Sequence, residues 1–178
     1  AAAHLVHPGD LVILIAYETA HGSTRSIAQR IATQLTARGH EVEPRPIAEV
    51  DGRAGYDAFV LGSAIHDRSW LPAAAQFVED NAGVLASRPT WLFSVGMAAA
   101  VGLPFRTLAL REGPLAVAAF NALIRPRDAK LFSGIVRREG FPKLRSRITF
   151  RLMGCRYGDF RDWPTIDAWA ADIAEQLE

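Results

Sequence analysis

Residues 11–38 read LVILIAYETAHGSTRSIAQRIATQLTAR, and three different kinds of pattern follow one another within them. Leu11–Ala16 is a continuous apolar run rich in β-branched and leucine side chains, the habit of a strand buried on both faces of a parallel sheet. From Ser23 to Arg38 the apolar period changes to that of a helix: Ile27, Ile31 and Leu35 fall at i, i+4 and i+8, with Arg and Gln opposite. Gly39 follows where a helix-terminating glycine belongs. Between strand and helix lies Tyr17–Thr24, with hydroxyls at Thr19, Ser23 and Thr24 and a glycine at position 22.

That junction has a chemistry. The first N–H groups of a helix lack intrahelical partners and sit at the positive end of its dipole, so an anion placed there is stabilised. Gly22 allows a tight turn, and the short hydroxyls add donors. The loop has no lysine and so is not a nucleoside-triphosphate loop, which ends in Gly-Lys-Ser/Thr. It also lacks the G-x-G-x-x-G dinucleotide pattern. A hydroxyl-rich loop without a cation suits a monophosphate held by dipoles. The bland alternative makes Ser23 a helix cap and Thr19 a turn residue.

Outward from this unit the alternation repeats. Residues 41–47 (EVEPRPI) read as an edge strand, because their prolines are excluded from a central position. Residues 58–62 read as a strand ending in glycine, 71–81 as a helix, 90–95 as a strand and 103–123 as largely helical. Residues 130–136 read as a further strand and 165–177 as the closing helix. This predicts a doubly wound α/β domain of five parallel strands with helices on both faces. The chain has 178 residues, which suits one domain over residues 11–178. Residues 1–10 read as a flexible leader or vector remnant outside the fold.

Composition narrows the function classes. The formal net charge is +1, which gives no overall bias towards nucleic acid. A single cysteine, Cys155, rules out an internal disulfide and a cysteine zinc site, and it has no neighbouring His that would give it a redox role. No metal site is expected. No apolar run reaches the roughly 18–20 residues of a membrane span, and the expected location is cytoplasmic.

One stretch breaks the alternation. About 28 residues separate the strand ending near Val136 from the last helix, far more than the ~2–6 of an ordinary βα connection. Residues 125–161 hold eleven Lys/Arg against three Asp/Glu, a local net of +8. Phe141, Leu144, Ile148 and Leu152 recur at helical spacing, with Lys143, Arg145, Arg147 and Arg151 largely elsewhere. Residues 141–156 therefore read either as a basic amphipathic helix touching an anionic lipid surface or an acidic partner, or as a helix packed on the domain with a solvated basic face.

The pattern Thr19-x-x-Gly22-x-Thr24 after a buried first strand resembles the FMN phosphate signature of the flavodoxin family. YDAFVLGSAIHDRSWLPAAAQFV resembles that family's third strand and flavin loop. LFSGIVRREGFPKLRSRITFRLMG, with DW before the last helix, resembles the flavodoxin-type, menaquinone-dependent protoporphyrinogen oxidases, where an insertion after the fifth strand is associated with membrane and quinone chemistry. The resemblance implies FMN as cofactor, with its phosphate on Thr19, Ala20, His21, Gly22, Ser23 and Thr24. It implies one ring loop at Ser63, Ala64, Ile65 and His66 and a second at Ser94, Val95 and Gly96. This sequence has His66-Asp67-Arg68 where the oxidase subgroup tends to have Arg-Tyr-Gly.

Three single residues stay open on sequence. Trp70 either stacks beside the flavin or packs under the next helix. His66 either relays a proton at the ring edge or is an exposed loop residue, and Arg68 either balances anionic charge or is an ordinary surface arginine. The expected activity is FMN-dependent oxidoreduction between a small or hydrophobic substrate and a quinone-like acceptor, with peripheral contact at the inner membrane face through 141–156. Two alternatives stand beside it: an electron carrier served by redox partner proteins, and an FMN-free interaction module on the same fold.

Overall fold

The computed structural model describes residues 11–50, 55–140 and 143–178. The leader expected at 1–10 and the Phe141 position of the amphipathic pattern lie outside them.

The strands are β1 (Val12–Glu18), β2 (Glu41–Pro46), β3 (Ala58–His66), β4 (Ser69–Trp70), β5 (Thr90–Gly96), β6 (Asp128–Ser133), β7 (Ile135–Val136) and β8 (Gly158–Asp159). The helices are α1 (Ser23–Thr36), α2 (Pro72–Asp80), α3 (Ala82–Ser87), α4 (Leu103–Leu110), α5 (Glu112–Ile124), α6 (Leu144–Leu152) and α7 (Trp163–Glu175). Five parallel strands form the sheet in the order β2-β1-β3-β5-β6, and β4 adds an antiparallel partner to the end of β3. This is the doubly wound arrangement expected from the alternation. The order reverses at β1, so a crevice opens at its carboxyl end, where such sheets bind ligands.

Period-two alternation along β1 divides the core. Ile13, Ile15 and Tyr17 face α1 and α7, where Ile27, Ile31, Leu35, Ile166, Trp169 and Ile173 are buried. Leu14 and Ala16 face the other way, onto α2, α3 and α5 with Phe77, Leu85, Val117 and Phe120. β2 is indeed an edge strand, so Pro44 and Pro46 cost no central hydrogen bonds.

Four local expectations change. β3 does not end at Gly62 but runs on to His66, and its chain reverses at Asp67 and Arg68, both with positive φ (48° and 63°). The glycine serves packing instead: a Cβ there would lie 2.0 Å from Cζ of Phe93, whose ring fills the space. The helix expected over 103–123 breaks at Arg111 into α4 and α5. The strand expected over 130–136 breaks at Gly134, where β7 leaves the sheet to pair with β8. The long connection after it is structured, carrying α6 and ending in the β7–β8 ribbon.

Residues 144–152 form a helix packed on the domain with Lys143, Arg145 and Arg151 exposed, as the second reading has it, but the docking side is not the apolar stripe. α6 packs through Phe150, which is buried with Ala100, Val101, Val136 and Cys155. Leu144, Ile148 and Leu152 instead face solvent, at 72%, 52% and 79% exposure. A stripe at i, i+4, i+8 marks one face of a helix, but the side on which the helix docks is set by its neighbours.

Candidate functional site

The carboxyl ends of β1, β3 and β5 open onto a cavity of about 800 Å³, within the usual range for small-molecule sites. One wall is the β1–α1 junction. Gly22 takes φ 90°, a left-handed conformation suited to glycine, and its N–H donates to Thr19 Oγ1 (3.0 Å). Thr19, Ala20, His21, Ser23 and Thr24 line the cavity. Gly22 shapes the turn without lining it.

Thr24 gives the clearest chemical sign. It is 1% exposed, and its Oγ1 is buried without a hydrogen-bond partner among the described residues. A buried hydroxyl without a partner is unfavourable by about 1–3 kcal/mol, so most such groups have one. Here the hydroxyl belongs to a residue on the cavity wall, in the first turn of a helix whose leading N–H groups also lack intrahelical partners. An anionic oxygen at that point would satisfy both. The residues present thus fit a phosphate monoester.

The second wall comes from β3 and its turn. Ala64, Ile65, His66, Asp67 and Arg68 line it, with Leu71 beyond. His66 is exposed, with Nε2 3.5 Å from the Asp67 carboxylate. The third wall is Val95, Gly96 and Met97 at the end of β5, with Glu112 at the start of α5. These two walls mix apolar residues, Ala64, Ile65, Leu71, Val95 and Met97, with His66, Asp67, Arg68 and Glu112.

Besides Gly22, three residues expected at the cofactor stand outside the cavity wall. Ser63 is wholly buried; its hydroxyl accepts from Leu71 N–H (3.0 Å) and donates to the Ala64 carbonyl (2.9 Å). Trp70 is buried under α5, its ring 5.2 Å from that of Phe120 and its Nε1–H donating to Ser94 Oγ (2.8 Å). Ser94 is thereby used as that acceptor. Of the two readings of Trp70, the packing one matches its position. The other tryptophans are core or near-core residues: Trp91 and Trp169 are buried, and Trp163 packs against the same cluster.

The fourth wall was not anticipated. Gly134, Ile135, Val136, Arg137, Glu139 and Gly140 line the cavity from the start of the insertion. Ile135 N–H donates to Ser23 Oγ (2.9 Å). Gly134 packs so closely there that a Cβ would lie 3.0 Å from the Ser23 Cβ. At the other end of the segment, a Cβ on Gly140 would lie 3.9 Å from His21 Nε2. The sequence marked this stretch by its over-long connection and its positive charge, without placing it at the cavity.

An apolar surface lies beside the insertion, on α4. Every described side chain of α4 is at least partly exposed, with Leu103 at 83% and Phe105, Leu108 and Leu110 also exposed. Gly102 abuts the backbone of Met153 and Gly154, so α4 begins where α6 ends. Among the described residues no helix is long and apolar enough to cross a membrane.

The model of the flavodoxin domain matches residues 14–147. No curated protein sequence matches the chain. Among solved structures, the fold is similar to flavodoxin 2 from Bacillus cereus, at 21% identity over 92% of this chain and 98% of that one, TM-score 0.58. It is similar to the Flv1 flavodiiron core from Synechocystis sp. PCC6803, at 12% identity over 96% of this chain, TM-score 0.61. It is also similar to rubredoxin oxygen:oxidoreductase from Desulfovibrio gigas, at 16% identity over 93% of this chain, TM-score 0.59. The match spans 36% of each of these last two chains, and at such identities the likeness is one of fold.

Proposed function

The chain belongs to the flavodoxin domain family, and on that premise we propose that it is an FMN-binding electron-transfer protein that uses the cavity at the carboxyl end of β1. The observation that carries this reading is the partnerless hydroxyl of Thr24, buried on the wall of a cavity at a helix N-terminus. Thr19 to Thr24 would hold the phosphate through backbone N–H groups and hydroxyls. Ala64–Arg68 and Val95–Met97 would flank the ring. FMN when bound supplies reversible electron transfer, and the chain's part is to bind it, orient it and set its surroundings. His66 and Asp67 stand at the rim, where a proton can be exchanged with solvent. The test is a flavin titration of the purified protein. A yellow holoprotein with quenched flavin fluorescence is expected; a colourless protein that ignores added FMN would leave only an interaction module on this fold.

A second reading has its own observation. α4 and α6 carry exposed leucines and meet at Gly102 and Gly154, α6 and its flanks carry Lys143, Arg145, Arg151 and Arg156, and Met97 is on the cavity wall. An apolar, basic surface beside a redox site suits an oxidoreductase that meets a quinone-like acceptor at an anionic membrane, with protoporphyrinogen as one substrate to try. A redox partner protein with an acidic face is the alternative. Flotation with anionic vesicles, repeated with Arg145→Glu and Arg151→Glu, separates the two: membrane binding lost in the variants supports the lipid reading, and no binding by the parent chain removes it. Turnover of a quinol analogue without any reductase partner would support an enzyme over a carrier.

A further inference from the structure

The phosphate loop contains no cation of its own apart from His21, yet the folded cavity acquires one from more than a hundred residues away. Arg137 lines the cavity on the segment 134–140, and both ends of that segment touch the loop: Ile135 N–H bonds Ser23 Oγ (2.9 Å), and Gly140 approaches His21. The Arg137 side chain is exposed and has no ion pair or hydrogen bond among the described residues.

The segment is also fastened from behind. Ile135 pairs with Asp159 in the β7–β8 ribbon. The Asp159 carboxylate binds the Arg161 guanidinium through Nε (2.9 Å) and Nη2. Arg161 Nη1 donates to Ser26 Oγ (2.8 Å), Ser26 Oγ donates to the Ser23 carbonyl (2.8 Å), and the Arg161 guanidinium lies 4.6 Å over the Trp163 ring. The chain of contacts closes on Ser23, where it began. Both ends of the insertion are thereby latched to the first turn of α1, the turn that faces the anion.

We propose that the insertion is a strap for the phosphate of the bound flavin, in which Arg137 is a phosphate-binding residue and the Asp159–Arg161–Ser26 latch is a positioning device that holds it against the loop. The proposal rests on the FMN reading of the same cavity. The physical basis is simple. A monophosphate carries close to two negative charges near neutral pH, and the guanidinium fork matches phosphate oxygens in charge and geometry. The loop provides dipoles and hydroxyls, and the strap adds the full charge. Glu139 lines the same wall and opposes it, while Asp67, Arg68 and Glu112 line the walls built from β3, β5 and α5. The net effect of Arg137 is therefore moderate and screened by salt.

FMN and riboflavin differ only in the phosphate, so the pair isolates the effect. Fluorescence-quenching titrations of both are run on the full chain, on Arg137→Gln, on Arg137→Lys and on Arg138→Gln, a neighbour that does not line the cavity. Arg137→Gln is expected to weaken FMN about tenfold and to leave riboflavin within about twofold. Arg137→Lys recovers most of the loss, and Arg138→Gln changes neither ligand. Raising salt from about 50 to about 500 mM is expected to weaken FMN binding more in the parent than in Arg137→Gln. Unchanged FMN affinity in Arg137→Gln overturns the proposal, as does an equal loss for riboflavin, which would put Arg137 at the ring. A parent chain that binds neither flavin removes the cofactor reading itself and the strap with it. A thermal melt of each apo variant checks folding; if Arg137→Gln is unfolded, Arg137→Met takes its place, where weakened FMN with unchanged riboflavin decides for the proposal and unchanged FMN decides against it.

Discussion

Two regions meet at Ser23, and they specify structure in opposite ways. The β1–α1 junction is local: strand, turn and helix lie within 28 consecutive residues, and each is marked by its own period or its own turn residue. The insertion is non-local: its placement depends on Ile135 reaching back 112 positions to Ser23 and on Arg161 reaching back 135 positions to Ser26. The first can be read from a short window. The second shows in sequence only as excess length and excess positive charge. If the insertion acts as a strap, the local region sets what is bound and the distant one sets how tightly.

The largest expected effect lies in the local region. Thr24→Val keeps the shape of the side chain and removes its partnerless hydroxyl. The apo protein should gain about 1 kcal/mol, since an unsatisfied buried group is removed. FMN binding should fall by about 10- to 100-fold, the worth of a hydrogen bond to a charged group. Opposite signs in a melt and a titration are the signature. Equal FMN affinity in Thr24→Val would mean that the hydroxyl does not face the anion, and the comparison between the regions would lose its first term.

The next effect tests whether the distant region is coupled to the near one. Arg161→Met keeps apolar contact with Trp163 but removes the bonds to Asp159 and Ser26. Ser26→Ala removes only the end of the latch. Each should weaken FMN by a few-fold, less than the change at Thr24. Because the two residues share one hydrogen bond, the double variant should fall short of the sum of the singles by about 0.5–1 kcal/mol. Strict additivity would show that the latch is not one unit.

Much of the fold was legible because helix and strand periods are local facts. Ile27, Ile31 and Leu35 announced α1, the prolines of 41–47 announced an edge, and the junction announced a loop that lines the cavity. The failures share a physical cause. Gly62 suggested a strand end, but it is small because the Phe93 ring occupies its Cβ position. Trp70 and Ser94 suggested a flavin contact, but a buried indole N–H needs an acceptor and the Ser94 hydroxyl supplies one, while the Ser63 hydroxyl bonds the Leu71 N–H and the Ala64 carbonyl. The stripe Leu144–Ile148–Leu152 suggested a packed or lipid-facing side, while Phe150 alone decided the docking. For Gly62, Trp70 and α6 the deciding partner is remote in sequence.

A smaller effect is carried by pH. The Arg161 hydrogen bond holds the Asp159 carboxyl below its ordinary value, with desolvation acting against it. A depressed carboxylate pKa contributes stability that is present above the unfolded value and lost as pH falls through the folded one. The latch therefore loosens in acid, below the usual carboxylate range of about 4. Asp159→Asn should have a shallower fall in melting temperature on acidification than the parent. The slope should not vanish, because Asp167, paired with Arg30, is depressed in the same way. An identical pH profile in Asp159→Asn would show that the Asp159–Arg161 contact adds nothing to the folded state.

The smallest effect separates charge from mere closeness. Glu139 lines the cavity two residues beyond Arg137, yet among the described residues the two form no ion pair. Its carboxylate thus acts on a bound phosphate as an unneutralised like charge. Both groups are solvent-exposed, so the repulsion is screened and amounts to a fraction of a kcal/mol. Glu139→Gln should tighten FMN by about twofold at low salt, leave riboflavin unchanged, and lose its advantage as salt rises towards about 500 mM. A twofold gain for riboflavin as well would mark a change in the wall's shape, because riboflavin carries no phosphate for the carboxylate to repel. A loss of FMN affinity would mean that Glu139 orients Arg137, and the strap would then need both charges to hold the anion.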